Sequence, residues 1–385
     1  MDIKHGITLS GILLWCTLTP ADVASTQPAK VGLDDARQAY HRGQYSLAEG
    51  QYREVLKASD TSLEAVIGLA DVLRMTGRYR QAVDLLQHDS ELRETSAAWA
   101  YAMAEALRDV GEYAQALDLA RLADALQPDQ AETILLRGKL LETLGREDDA
   151  LAVYSQMDRI LETDDYQRDA PTLTALGEIM DRHAILTGRK ASDQARNILH
   201  NYFQRAYQKV DPTYWQANLA AGRFLLAKHN TTDALEEFQL AQKINPNLPA
   251  AYAGLGLVEL QKWKFQSCLA QANRALAINS NHDESLYLQA ACYIQWRKFD
   301  KAVPPLEKIL TVNPNHVEAL SLLAAAYMLQ RQPEKARAFA DRVRRINPRC
   351  ATLPHTIGYW YMAGRQFDQA KVYLKEAVSL APKQA

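Results

Sequence analysis

The chain has 385 residues, of which 48% are hydrophobic and 23% charged, and a formal net charge of −2. That composition describes a foldable, soluble chain, longer than one ordinary helical bundle and without a shift that would mark separate domains. A near-neutral balance excludes a general basic field for nucleic acid or for an acidic membrane surface.

The first 25 residues differ in character from the rest of the chain. Lys4 and His5 precede an apolar run from Ile7 to Leu18, and Val23, Ala24 and Ser25 supply small residues suited to cleavage. This segment resembles a secretory leader, so residues 1–25 are expected to be a signal peptide. The protein is then exported: periplasmic, outer-membrane associated or extracellular. As a helix the apolar run rises only about 18 Å, short of the roughly 30 Å core of a bilayer. Trp15 stands before Cys16 where lipid-attachment leaders need a small residue, which speaks against lipidation. Beyond the leader remain Cys268, Cys292 and Cys350, with no CxxC pair and no zinc-ligand spacing. Cys268 and Cys292 occupy slots that want small buried residues, whereas Cys350 lies in a turn and is expected at the surface.

From residue 29 to 162 a period of 34 residues governs the chain. Gly43, Gly77, Gly111 and Gly145 are 34 apart, and each stands five residues before an alanine: Ala48, Ala82, Ala116 and Ala150. A glycine there predicts a left-handed cap that closes one helix and turns tightly into the next. Residues 163–214 lose this phase. Leu176-Gly177 start like a repeat, but the alanine comb is missing and Ala191 to Lys209 reads as one long helix. We expect a divergent linking repeat there, with Glu162, Asp164 and Asp165 in a solvated loop ahead of it.

The period returns over 215–385 as five units. Ala234, Cys268, Ala302, Ala336 and Ala370 form one comb, and Pro246, Ser280, Pro314, Pro348 and Pro382 form a second at the same spacing. Within one unit, Leu320, Leu323, Ala324 and Tyr327 mark the inner face of a first helix, and Ala336, Ala340, Val343 and Ile346 that of a second. Small residues at Ala324 and Ala336 let the two backbones approach, and Pro348 ends the second helix. The fold class is therefore all-α: an α-solenoid of tandem 34-residue hairpins.

The order of a large residue, a small pair, an aromatic, Gly-x-Tyr, Ala and Pro resembles the tetratricopeptide repeat family. Ala251-Tyr252-Ala253-Gly254-Leu255-Gly256 and the segment His355 to Gly364 are its plainest instances. The resemblance covers nearly everything from residue 29 onward and implies a right-handed superhelix that scaffolds a protein or peptide partner rather than catalyses a reaction. It also implies that the partner lies in a concave groove lined by first helices. At the twelfth position of the unit the second half carries Leu226, Leu260, Ile294, Met328 and Met362, where the first half carries Arg74, Arg108 and Glu142. Neighbouring positions agree, with Leu257, Tyr287, Leu288, Leu322 and Tyr359 set against Asp71, Glu105, Asp109 and Lys139. The expected partner-binding residues are Arg223, Leu226, Leu257, Leu260, Tyr287, Ile294, Met328 and Tyr359, forming an apolar half of the groove. The competing reading is that these side chains are core. Arg223 has no basic companions in its half, so a clamp for a C-terminal carboxylate is not expected.

No catalytic, cofactor or metal constellation is legible. The nine histidines form no HExxH, and His282 and His316 fall in inter-repeat turns where exposure explains them. No glycine-rich phosphate loop follows a strand, and no serine has a nucleophile-elbow context. Arg337, Arg342, Arg344, Arg345 and Arg349 form the best basic cluster, but on a second helix and without interleaved aromatics, which describes a solvated convex face. No capping helix follows the last unit within the sequence. An exposed end, an oligomer contact or further chain covering that face are all open, as is association with an envelope complex. The alternative function is the recruiting N-terminal region of a larger secreted hydrolase or peptidase.

Overall fold

A computed structural model of the chain describes residues 32–59, 62–88, 95–189 and 191–382, with only the backbone for 191–193. The leader expected over 1–25 lies outside the described residues. Helices α1 (Leu33–His41) and α2 (Tyr45–Ala58) form the first antiparallel hairpin. They are followed by α3 (Leu63–Met75) with α4 (Tyr79–His88), α5 (Ala97–Asp109) with α6 (Tyr113–Leu126), and α7 (Ala131–Thr143) with α8 (Glu147–Tyr154). A short α9 (Met157–Leu161) leads to the hairpin of α10 (Ala170–Thr187) and α11 (Ala191–Ile198). Five more hairpins pair α12 (Trp215–Ala227) with α13 (Thr231–Ile244), α14 (Pro249–Gln261) with α15 (Phe265–Ile278), α16 (Asp283–Gln295) with α17 (Phe299–Val312), α18 (Val317–Leu329) with α19 (Pro333–Ile346), and α20 (Thr352–Ala363) with α21 (Phe367–Leu380). They stack into a right-handed superhelix, and no strand occurs among the described residues.

Alanines fully buried at Ala48, Ala82, Ala116, Ala150, Ala234, Ala302 and Ala324 allow the helix axes to close up. Large rings then fill the remaining space: Phe238 lies against both Gly222 and Gly254, where an added Cβ would stand 2.7 and 2.4 Å from the ring. The linking hairpin differs. The segment read as one helix from Ala191 to Lys209 continues past α11 as two π-helical stretches, Leu199–Gln204 and Ala206–Val210. The wider turn carries Phe203 onto Gly177 and buries Tyr202. Cys350 corrects the expectation of exposure: it is 7% exposed and, like Cys268 and Cys292, a buried free thiol.

The superhelix closes on itself. Second helices α13, α15, α17 and α19 each end at an asparagine in extended conformation: Asn245, Asn279, Asn313 and Asn347. In each, Oδ1 accepts the backbone N–H two residues on, at 3.1, 2.9, 3.0 and 2.9 Å, which fixes the side chain as an Asx turn. The amide nitrogen is left to donate across to the N-terminal hairpins. Asn245, Asn279 and Asn313 reach the hydroxyls of Tyr45, Tyr79 and Tyr113 at 3.0, 2.9 and 3.1 Å. Asn247, Asn281 and Asn315 donate to the carbonyls of Gly43, Gly77 and Gly111 at 3.0, 2.9 and 3.1 Å. Each of these last bonds spans 204 residues, six 34-residue periods, so about six units complete one superhelical turn. A fourth, weaker rung joins Asn347 to the carbonyl of Glu142 at 3.2 Å. There Glu147 and Arg349 stand where the other rungs have tyrosine and asparagine.

This seam explains why the two halves use different turn residues. Gly43, Gly77, Gly111 and Gly145 have φ of 73, 81, 84 and 74°, and the same slot in the C-terminal half holds His229, Trp263, Arg297, Arg331 and Arg365 at 57 to 61°. A left-handed conformation costs a residue with a Cβ roughly 1–2 kcal/mol, a strain the outer turns bear. On the seam a Cβ would also meet Asn oxygen, at 2.2 Å from Oδ1 of Asn279 in the case of Gly77. Gly77→Ala is therefore expected to lose the rung and to destabilise by about 3 kcal/mol, combining left-handed strain with a buried hydrogen bond broken. Arg297→Gly, at an open turn, should be neutral or stabilising by up to about 1 kcal/mol. Urea unfolding of the two variants checks this contrast, and equal effects would refute the seam's role.

Candidate partner-binding interior

Closing the turn leaves a half-open cavity of about 920 Å³. First helices α1, α3, α5, α7 and α10 and the start of α12 form one wall, and the inter-repeat turns at Asn279 to Asp283 and Asn313 to His316 face them. The lining is polar and aromatic rather than aliphatic. It includes Tyr40, Tyr52, Tyr79, Tyr101, Tyr113 and Tyr214, with seven carboxylates against four Lys or Arg side chains.

The charges are organised by helix spacing. Arg74 on α3 reaches Asp71, one turn back, at 3.0 Å, and Glu105 and Asp109 on α5 at 3.1 and 2.8 Å. Arg108 adds contacts to Asp109 at 3.0 Å and Glu105 at 3.3 Å. Two guanidinium groups thus share three carboxylates. Burial opposes ionisation of Glu105, but Arg74 and Arg108 outweigh it and hold the carboxyl below its usual range. Asp71 is the one left short: burial pushes it up to about 6, and repulsion from Glu105 and Asp109 adds to the push against the pull of Arg74. Further along, Lys139 pairs with Glu178, and Arg182 with Glu142 at 3.3 Å. On the opposite wall His316 lies between Asp283 at 3.1 Å and Glu318 at 3.3 Å. Burial works against its protonation, but these carboxylates raise it above the ordinary histidine value. The reading of His316 as an exposed turn residue is thereby corrected: its side chain is 14% exposed and ion-paired. His282, half-buried, hydrogen-bonds Ser285 at 2.9 Å, and burial depresses it.

The apolar groove positions fare differently. Leu226 and Ile294 are 5% and 2% exposed, and Leu288 and Leu322 fully buried, so these lie in the core rather than on a groove wall. Leu257, Leu260, Tyr287, Met328 and Tyr359 are half-buried and pack on the C-terminal core clusters. Arg223 is exposed and pairs with Glu284 at 3.0 Å. Of the twelfth-position stripe only Met362 is exposed. The physical reason is that these side chains sit in, or pack against, the apolar clusters formed where each hairpin meets the next, which consumes the stripe. The structure instead brings together Asp71, Arg74, Glu105, Arg108, Asp109 and Lys139, all legible as charged groove positions. Tyr101, Glu132, Tyr214 and Trp215 escaped sequence reading. Tyr101 could have been found, since Ile67, Tyr101 and Leu135 are 34 apart and all line the cavity.

The raised Asp71 gives a signed pH dependence. Between its ordinary 3.8 and about 6 the folded state binds more protons at this site than the unfolded chain, so this group's contribution to stability falls as pH rises through that window. Asn at position 71 keeps an acceptor for Arg74 without the charge. The urea midpoint of Asp71→Asn should therefore gain on that of the parent as pH is raised from about 4 to about 6.5. A constant difference would place the Asp71 carboxyl in its ordinary range.

Among the described residues no group of three or more His, Cys, Asp or Glu side chains is arranged to hold a metal ion, and no helix is long and apolar enough to cross a membrane. Comparison with known proteins bears on the repeats. Tetratricopeptide repeat models match residues 101–165, 297–353 and 355–384, and a model described as anaphase-promoting complex, cyclosome, subunit 3 matches 41–123. None of these models describes an enzyme. No curated protein matches the sequence. Among solved structures, the APC/C hetero-tetramer Cut9-Hcn1 is 14% identical, covering 90% of this chain and 92% of that one at a TM-score of 0.44. A crystal structure of MamA is 18% identical, covering 42% of this chain and 95% of that one at 0.31. These scores leave the fold resting on the chain's own helices. With hairpin, turn and 34-residue comb in register with the matching repeat models, the chain is a tetratricopeptide-repeat protein.

Proposed function

We propose that the protein is a non-enzymatic interaction scaffold that holds a segment of a protein partner in the interior of its closed superhelical turn. The observation that carries this reading is the cavity of about 920 Å³, walled by first helices and lined with tyrosines and charged groups. Tyrosine is suited to such a surface because it supplies large contact area at low entropy cost and keeps a polar tip. The repeat family supports a protein as the ligand, because stacked hairpins present extended concave surfaces. The cavity favours the N-terminal half over the apolar C-terminal half as the binding face, since the stripe residues there are largely committed to packing. A photo-crosslinking amino acid at Leu135, on the cavity wall, should capture a partner from a source extract, and the same group at Met328 should not. Capture at Met328 alone would return the site to the C-terminal half.

Export belongs to the same proposal. The charged start, apolar run and small residues of positions 1–25 support it, and the protein recovered from its source should then begin close to Thr26. N-terminal sequencing decides this, and a mature chain that retains residues 1–25 would place the scaffold inside the cell or on a membrane.

A further inference from the structure

Successive hairpins of the C-terminal half meet through one recurring pair of slots, a small residue of a second helix and a residue of the first helix that follows. The pairs are Ala234 of α13 with Val258 of α14, Cys268 of α15 with Cys292 of α16, and Ala302 of α17 with Ala326 of α18, and all six are fully buried. Alanine in both slots at Ala302 and Ala326 leaves a closed interface, so packing calls for a cysteine in neither slot.

The geometry brings the two thiols together. Cys268 and Cys292 belong to one buried cluster with Ala253, Ala272 and Leu288. The Cys292 thiol donates to the carbonyl of Phe265 at 3.4 Å, one helical turn before Cys268 on α15, which places it beside Cys268. The thiols also hydrogen-bond each other: that bond pushes Cys268 up, with burial adding to the push, and draws Cys292 down against burial. Cys350 lies apart, in a different apolar cluster.

We propose that Cys268 and Cys292 are a disulfide site, joined by exchange with a small disulfide such as oxidised glutathione while the hairpins are open. The Cys292 thiolate attacks one sulfur of the oxidant, releasing a glutathione thiolate and leaving a mixed disulfide, and the Cys268 thiolate then displaces the second glutathione. The protein gives up two electrons and two protons, and the oxidant becomes two glutathione thiols. Because both thiols are fully buried, exchange waits on local separation of α15 from α16, and the finished bond is shielded in the closed stack. The bond ties the hairpin that ends at Asn279 to the one that ends at Asn313, and so fixes the rotation between two layers that each carry a rung of the seam.

The test incubates the reduced full chain with mixed oxidised and reduced glutathione over a series of urea concentrations below its unfolding midpoint. Free thiols are then blocked and tryptic fragments mapped by mass spectrometry. The expected product joins fragment 265–274 to fragment 275–297. It should form at least about tenfold faster in the highest sub-denaturing urea than without urea, because opening is required. Once formed it should raise the urea midpoint. Neither product nor shift should appear in Cys292→Ala, alanine being the residue that the neighbouring interface holds at Ala326, and circular dichroism establishes that this variant is folded. Links dominated by Cys350 or Cys16, or thiols that all stay open to alkylation as unfolding begins, overturn the site. An unshifted midpoint in the linked protein overturns its role in fixing the seam.

Discussion

Everything distinctive about this solenoid depends on the row of asparagines that ties one superhelical turn to itself. Stacked hairpins ordinarily contact only their neighbours, and their stability is close to a sum of local terms. Here Asn245, Asn279 and Asn313, each 6% exposed or less, join hairpins some 200 residues apart. The Asx turn is what makes the contact directional: once Oδ1 is occupied by a local N–H, only the amide nitrogen is left to donate. A buried tyrosine hydroxyl opposite a buried amide is a pair in which neither partner can be removed cheaply, because the survivor would be desolvated without compensation.

That constraint propagates into turn chemistry and then into the interior. The seam admits no Cβ at Gly43, Gly77, Gly111 or Gly145, whereas the outer turns tolerate Trp263 and three arginines in the same left-handed slot. By pressing the C-terminal inter-repeat turns against the N-terminal hairpins, the seam converts a groove into a deeper, half-open cavity. Charges that would be weakly coupled on an open surface become a network there. Arg74, at 15% side-chain exposure, serves three carboxylates at once, and Asp71 is left with the unfavourable share.

Two halves built on one repeat thus divide the work. In the C-terminal half the first helices spend their apolar faces on packing, with Leu320, Leu322, Leu323 and Ala324 all fully buried. In the N-terminal half the corresponding face carries the ion-paired and aromatic side chains that line the cavity. Met362, Phe367 and Val378 on the final hairpin are exposed and line a shallow apolar hollow.

The hairpins, their 34-residue period, the turn glycines and the charged character of the N-terminal groove were legible in sequence, because each follows from interactions within about 34 residues: apolar spacing, caps and small-residue approach. Even the two halves of the seam stand in the sequence as combs, Tyr45-Tyr79-Tyr113 and Asn245-Asn279-Asn313. Their pairing is not there, since it depends on the small rotation between successive hairpins summed over six of them, and no local pattern encodes that sum. For the same reason the burial of Leu226, Ile294 and Cys350, the ion-paired setting of His316 and the presence of Glu132 and Tyr214 on one cavity wall were decided only in three dimensions. Sequence determined which residues form each layer; the superhelical turn decided which distant layers face each other.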